Sequence, residues 1–392
     1  MCRVVPPEAP SGSAPVRTVP MTKSALIMIL ASICLALGSS CSCDRDKAIK
    51  IGFIAGLTGK NSDLGVAGRD GVQLAVESIN ASGGIGGRML SLVIRDDGSN
   101  PDAAALAVES LAKERVAAVV GPMGSSMAKA ALPVAAKNGL VLVSPTSSSN
   151  ELSGRDDNFF RVMEPNRLFA HHLAETCVKL KIMRVAAIYD LQNSTYTAEM
   201  FADFREEFLR RGGRITAEVS YDSARSPLFI PLVKKLGVDR ADGVMVLANS
   251  VDAINIGQQV RKLSPRIPII SGACGIAQRD LVQQAGRSID NIIFTLPVNG
   301  RSDKESYLLF KEKFAKRFGY EPTFASVLAY DAAQAVVAAL RKNPEPSRLR
   351  ETLRGIGTFP GLQGDILLDS YGDPHRKLFI TRYFRGHEDV IE

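Results

Sequence analysis

The sequence predicts a two-lobed α/β protein in which each lobe is a parallel-sheet, three-layer αβα sandwich. Two observations carry that expectation. Short apolar runs with strand character alternate with amphipathic helical stretches along most of the chain, and repeated βα units of this kind place their strands parallel. The series is also too long for one simple sheet, while 392 residues at 45% apolar content suffice for two sizeable cores.

The elements follow in order. Ile49 to Ala55 reads as a buried strand, and Val66 to Ile79 as an amphipathic helix ended by Asn80-Ala81-Ser82-Gly83-Gly84. Leu90 to Ile94 is the next strand, and the helix after it starts at about Pro101, where proline suits a first turn. Val116 to Val120 and Leu140 to Val143 are strands on either side of a helix from about Met127 to Lys137. Asn158 to Met163 reads as a bridging segment. A second series then begins, with a helix from about Arg167 to Leu180, a strand from Arg184 to Ile188, a helix around Thr197 to Arg210 and a strand from Ile215 to Val219. Val244 to Leu247, Ile267 to Ile270 and Ile292 to Leu296 continue it. After Pro297 come helices near Lys304 to Phe318, Thr323 to Leu340 and Ser347 to Leu353, then Gly361 to Asp369 and a strand from Lys377 to Phe384.

The expected division places 49–164 plus 296–368 in lobe 1 and 165–295 plus 369–392 in lobe 2, with a ligand between them. Residues 1–20, rich in proline and small residues, are a doubtful or disordered extension, and Met21 is the working start. Residues 21–43 read as an export signal: Lys23, an apolar run from Ala25 to Leu37, then Gly38-Ser39-Ser40-Cys41. That last group resembles the lipobox of bacterial lipoproteins, which makes Cys41 the candidate lipidation site and Cys43 a second one. The expected location is therefore the periplasm, with a lipid anchor to a bacterial membrane.

Two polar loops stand out. Gly121-Pro122-Met123-Gly124-Ser125-Ser126 and Ser144-Pro145-Thr146-Ser147-Ser148-Ser149 each follow a strand, at the carboxyl ends where open α/β sheets place ligands. Unpaired N–H groups at the helix start near Ser125 and Ser126 attract an anion, and the hydroxyls orient it. The same serines also read as ordinary helix caps and turn residues.

Other chemistries lack support. A formal charge of +7 is spread out, with no basic stripe interleaved with aromatics, so nucleic acid is not an expected partner. Phosphate-binding motifs and the Gly-x-Ser-x-Gly nucleophile elbow are missing, and His171, His172, His375 and His387 form no metal pattern. Cys177 and Cys274 signal neither a disulfide nor zinc, and Cys177 reads as core filling. No enzyme activity, cofactor or metal is expected.

Lys50-Ile51-Gly52-Phe53-Ile54, Leu57-Thr58-Gly59, Gly65, Gly71, Ala75, Ile79-Asn80 and Gly83-Gly84-Ile85-Gly86-Gly87 together resemble the leucine/isoleucine/valine-binding family. These are type I periplasmic substrate-binding proteins of branched-chain amino-acid ABC transporters. Asp96-Asp97, Gly121, Ser144-Pro145, Asn150-Glu151-Leu152, Tyr330-Asp331-Ala332, Gly364 and Gly372 extend the likeness over about residues 49–385. It implies a two-lobed, Venus-flytrap solute-binding protein, expected to be a monomer, that takes an amino acid (branched-chain or otherwise apolar) or a small carboxylate and serves a membrane ABC permease. The same module also serves sensory receptors.

By that resemblance Ser125 and Ser148, helped by groups around Thr146 and Ser147, hold the ligand carboxylate, and Tyr196 covers the ligand from lobe 2. Cys274 stands nearest the place of the acid that usually receives the ligand ammonium, a departure that unsettles a leucine or valine assignment. Asp252 either supplies that charge from a neighbouring loop or caps the following helix. Leu64 replaces a frequent aromatic, and Phe324 is a candidate cleft or core residue.

Overall fold

The computed structural model describes residues 48–59, 62–273, 285–384 and 387–391. The export segment with Cys41, and Cys274 in the loop after the Ile269 strand, lie outside the described residues.

The first sheet is built from β1 (Ile49–Ala55), β2 (Leu90–Asp96), β3 (Ala118–Val120), β4 (Leu142–Ser144) and β5 (Phe159–Arg161), in the order β2-β1-β3-β4-β5 with every pair parallel. Alternation along the strands sends side chains to opposite faces. Phe53, Val120 and Val143 enter one core with α1 (Ser62–Ala81) and α9 (Phe324–Lys342). Ile54, Val119 and Leu142 enter the other with α2 (Pro101–Lys113) and α3 (Ser125–Lys137). Helix α2 starts where proline and a cap coincide, since the Asn100 side chain accepts from the Ala103 N–H at 3.0 Å.

Strand β5 corrects the reading of 158–163 as a bridge. It pairs parallel with β4 through Leu142 with Phe159 and Ser144 with Arg161. Three residues ending in a buried arginine are too short to show a periodicity.

The second sheet joins β6 (Arg184–Asp190), β7 (Arg214–Tyr221), β8 (Gly243–Leu247), β9 (Ile269–Ser271) and β10 (Ile292–Leu296) in parallel. Helices α4 (Asn166–Lys179), α5 (Ser194–Arg210), α6 (Phe229–Lys235) and α7 (Ser250–Leu263) bury apolar faces such as Met200, Phe201, Phe204 and Phe208 of α5. Cys177 of α4 is buried, and that burial pushes its thiol up to about 12.

The chain then returns to the first lobe with α8 (Glu305–Phe318), α9 and α10 (Leu349–Ile356), followed by an antiparallel ribbon, β11 (Thr358–Gly361), β12 (Gly364–Leu368) and β13 (Pro374–His375). Arg317 of α8 reaches Glu77 of α1 at 3.0 Å, and Tyr320 donates to Asp70 at 2.8 Å. Strands β14 (Phe379–Phe384) and β15 (His387–Val390) close the second sheet as an antiparallel edge on β10.

Residues 369–375, expected with lobe 2, are bonded to the first lobe instead. The Arg161 N–H donates to the Gly372 carbonyl at 3.1 Å, and the Gly154 N–H donates to Asp373 Oδ2 at 2.8 Å. Gly372 has φ +91, and a Cβ there would stand 2.7 Å from the Phe160 ring, so only glycine lets this segment lie on β5. The passage into the second sheet thus falls between His375 and Phe379.

Candidate functional site

Both polar loops leave their strands at one end of the first sheet and fold against each other. Ser144 Oγ donates to the Pro122 carbonyl at 2.6 Å, Thr146 Oγ1 to the Met123 carbonyl at 2.6 Å, and Ser147 Oγ to the Pro122 carbonyl at 3.2 Å. The hydroxyls of Thr146 and Ser147 therefore lock loop to loop, and the Ser147 N–H is itself donated to Ser144 Oγ at 3.1 Å, so both Ser147 donors hold the loops together.

Ser125 and Ser148 come together as the sequence suggested. The N–H groups of Ser148 and Ser149 donate to Ser125 Oγ at 3.1 and 3.3 Å, and Ser148 Oγ donates to Asn166 Oδ1 at 2.7 Å. All three serines are buried. Ser125 Oγ accepts from both N–H groups and so keeps its own O–H to donate, which suits a carboxylate.

Beneath this loop lies a residue that sequence reasoning missed. Arg161 is fully buried, pairs with Asp373 at 2.7 Å, donates to the Ser149 carbonyl at 2.8 Å and the Ser147 carbonyl at 3.4 Å, and also bonds Ser153 Oγ. By holding those carbonyls inward it orients the 147–148 and 149–150 peptide groups. Burial lowers the pKa of its guanidinium, and Asp373 opposes that shift. A second buried pair, Arg376 with Asp331 at 3.0 Å, lies where the chain leaves for the second sheet. There Glu164 accepts from the Arg376 N–H, and burial pushes its carboxyl up to about 7.

Across the cleft, Asn193 stands at the start of α5, and its Oδ1 accepts from the Ser126 N–H at 3.1 Å. One of the helix-start donors expected to meet an anion is thus held by the opposite lobe. Asn150 makes three further crossings: its N–H donates to Glu199 Oε1 and its Nδ2 to Asp203 Oδ2, both at 2.6 Å, and its Oδ1 accepts from the Arg167 N–H at 3.1 Å.

A cavity runs between the lobes. Leu64, Asp97, Ser99 and Gly124 line it from the first lobe, and Asp190, Asn193, Tyr196 and Asn249 from the second. Tyr196 also lines a deeper, mainly apolar cavity with Ser148, Met163 and Phe169. The hydroxyl of Tyr196 sits against β9: a Cβ at Gly272 would lie 1.9 Å from it.

The remaining candidates fall elsewhere. Phe324 is buried at the first turn of α9 and lines neither cavity. Asp252 also lines neither cavity, and the cap of α7 is Asn249, whose Oδ1 accepts from the Asp252 N–H at 3.0 Å. The Asp252 carboxylate accepts from Asn249 Nδ2 at 3.0 Å and from the Tyr221 hydroxyl at 3.3 Å, and burial raises that phenol. Asn193 and Asn249 carry the same signal as the serine loops, polar residues directly after a buried strand, and that signal was available in the sequence.

Comparisons with known proteins agree with this architecture. The chain is 25% identical to the Leu/Ile/Val-binding protein homolog 1 of Brucella abortus over 372 residues, covering 90% of this chain and 94% of that one. It is 25% identical to the Leu/Ile/Val/Thr-binding protein of Salmonella typhimurium, covering 87% and 92%. It resembles the crystal structure of the branched-chain amino acid transporter substrate binding protein LivJ from Streptococcus pneumoniae in complex with isoleucine, with a TM-score of 0.80, 26% identity and coverage of 88% and 99%. A family model described as periplasmic binding protein matches residues 48–388, and the chain belongs to that family.

Proposed function

We propose that this protein is the extracytoplasmic solute-binding component of an ABC importer and that it captures an amino acid or a related small carboxylate between its lobes. The observation that carries this reading is the Ser125 hydroxyl at the start of α3, which accepts from the Ser148 and Ser149 N–H groups and so keeps its own O–H to donate, next to Ser148 on the wall of the cavity that Tyr196 shares. Ser125 takes the carboxylate through its hydroxyl with the N–H group of Thr146, Ser148 borders the space the ligand enters, and Tyr196 covers the ligand from the second lobe. The Leu/Ile/Val-binding relatives and the isoleucine complex support the same ligand class.

Capture is reversible and needs no chemical step. Lobe closure around the solute shifts the population toward a form that a membrane permease recognises. In this reading the lobes are 49–164 with 296–375, and 165–295 with 379–391. The export segment delivers the protein outside the cytoplasm, and Cys41 anchors it by lipid.

Native mass spectrometry of gently purified protein, followed by denaturation and identification of the released small molecule, tests the assignment. Release of an amino acid or other carboxylate is the expected result. A neutral sugar or a nucleobase as the tight ligand would overturn it.

A further inference from the structure

The cavity between the lobes is lined by two carboxylates, Asp97 and Asp190, and among the described residues by no lysine or arginine. The two acids are not equivalent. Asp190 Oδ1 accepts from the N–H groups of Gln192 and Ser223 at 3.2 and 2.9 Å, and its Oδ2 accepts from Ser223 Oγ at 2.6 Å. Asp97 Oδ1 accepts from the Ser99 N–H at 2.8 Å, which closes the turn after β2. Its Oδ2 has no hydrogen-bond partner, although the residue is 1% exposed. A buried carboxylate oxygen without a donor is costly. Here it borders the space a ligand would enter.

We propose that Asp97 is the acceptor for a positively charged nitrogen at the far end of the ligand, with Asp190 facing it across the cleft. The inference rests on capture of a small carboxylate at the serine loops and sharpens its chemical class. Strands β2 and β3 flank β1, and neighbouring strands lie about 4.8 Å apart. Asp97 and Gly121, which directly follow those strands, therefore sit on the order of 10 Å apart, two strand spacings, and α3 starts four residues beyond Gly121. That separation is too long for the α-ammonium of an amino acid whose carboxylate is at Ser125, and it suits an ω-ammonium carried on an aliphatic chain. Leu64 and Met127 line the same cavity, as methylene groups between two charged ends require. Burial holds the Asp97 carboxyl up to about 6, and an ammonium at Oδ2 would favour its ionised form.

The test uses protein stripped of co-purified ligand, titrated calorimetrically with L-lysine and with L-norleucine, which match in chain length but differ in the terminal ammonium. Lysine is expected to bind at least ~10-fold more tightly, and Asp97→Asn to remove at least ~10-fold of lysine affinity while leaving norleucine unchanged. Asparagine can still accept from the Ser99 N–H, so the melting temperature should hold. Asp97→Ser, whose hydroxyl can close the same kind of turn, replaces it if the first variant does not fold. Norleucine or leucine binding as tightly as lysine, with no change on substitution, refutes the inference and leaves carboxylate capture standing. Binding of neither kind of amino acid, nor of 5-aminopentanoate, also refutes the inference, and the carboxylate reading is then overturned only if the ligand released from the native protein is a neutral sugar or a nucleobase.

Discussion

Replacing Arg161 with methionine removes the one guanidinium that supports the serine loop from below. The Asp373 carboxylate loses its 2.7 Å partner, and the carbonyls of Ser147 and Ser149 lose a donor in a region without solvent. Breaking a buried pair from one side costs about 3–5 kcal/mol, and each stranded carbonyl adds about 1 kcal/mol or more where the loop cannot turn to water. Methionine returns part of this by filling the space of the arginine stem. A net loss of about 4 kcal/mol is expected in urea unfolding followed by circular dichroism, a large share of the 5–15 kcal/mol that holds a typical protein folded. Because the Ser147 carbonyl shares its peptide group with the Ser148 N–H, which bonds Ser125 Oγ, ligand affinity should fall as well. The double variant Arg161→Met, Asp373→Asn should recover about 2 kcal/mol, since the uncompensated charge is then gone. A loss below about 1 kcal/mol, or additive single and double variants, would refute the argument that this pair organises the loop.

Three further outcomes follow from the same geometry. Gly272→Ala would put a Cβ 1.9 Å from the Tyr196 hydroxyl oxygen and should destabilise by about 1–3 kcal/mol; adding Tyr196→Phe should restore much of that in thermal melts, and no restoration would place the strain elsewhere. Asn193→Ala removes the bond from the Ser126 N–H across the cleft, so the closed form should lose about 1 kcal/mol, read as a larger radius of gyration in solution scattering; an unchanged radius would deny the bond a role in closure. Glu164, held up to about 7 by burial, contributes stability that is complete below the ordinary glutamate range near 4.3 and is lost as pH rises through about 7, because the unfolded chain ionises first. Glu164→Gln should therefore flatten the decline in unfolding free energy between about pH 4.5 and 7 by on the order of 3 kcal/mol, and parallel pH profiles for the two proteins would contradict the assignment.

The sequence by itself determined the βα series, the existence of two lobes and the two serine loops at strand ends, because those features are written in local periodicity and turn chemistry. Strands β1 and β10 match the apolar runs end to end, and α2 begins at the proline that marked it. The two serine loops could be paired in advance because parallel strands bring their carboxyl ends together whatever the loops contain, and the family resemblance singled out Ser125 and Ser148 within them. Tertiary structure alone decided the rest. Phe159–Arg161 is a strand only because β4 presents an edge to it, and Arg161 is tolerable there only because Asp373, 212 residues later, returns to meet it. Thr146 and Ser147 look like ligand residues in the sequence, but the neighbouring loop takes their hydroxyls. Asp252 looks like a cap or a charge, yet Asn249 caps the helix and Tyr221 shares the carboxylate. Asp97 reads as one half of an acidic pair, and only the folded chain shows that Ser99 takes one of its oxygens, that the other is buried without a donor, and that the residue lines the cavity between the lobes. Periodicity reports which way a side chain faces, whereas the partner it finds depends on segments far away in the chain.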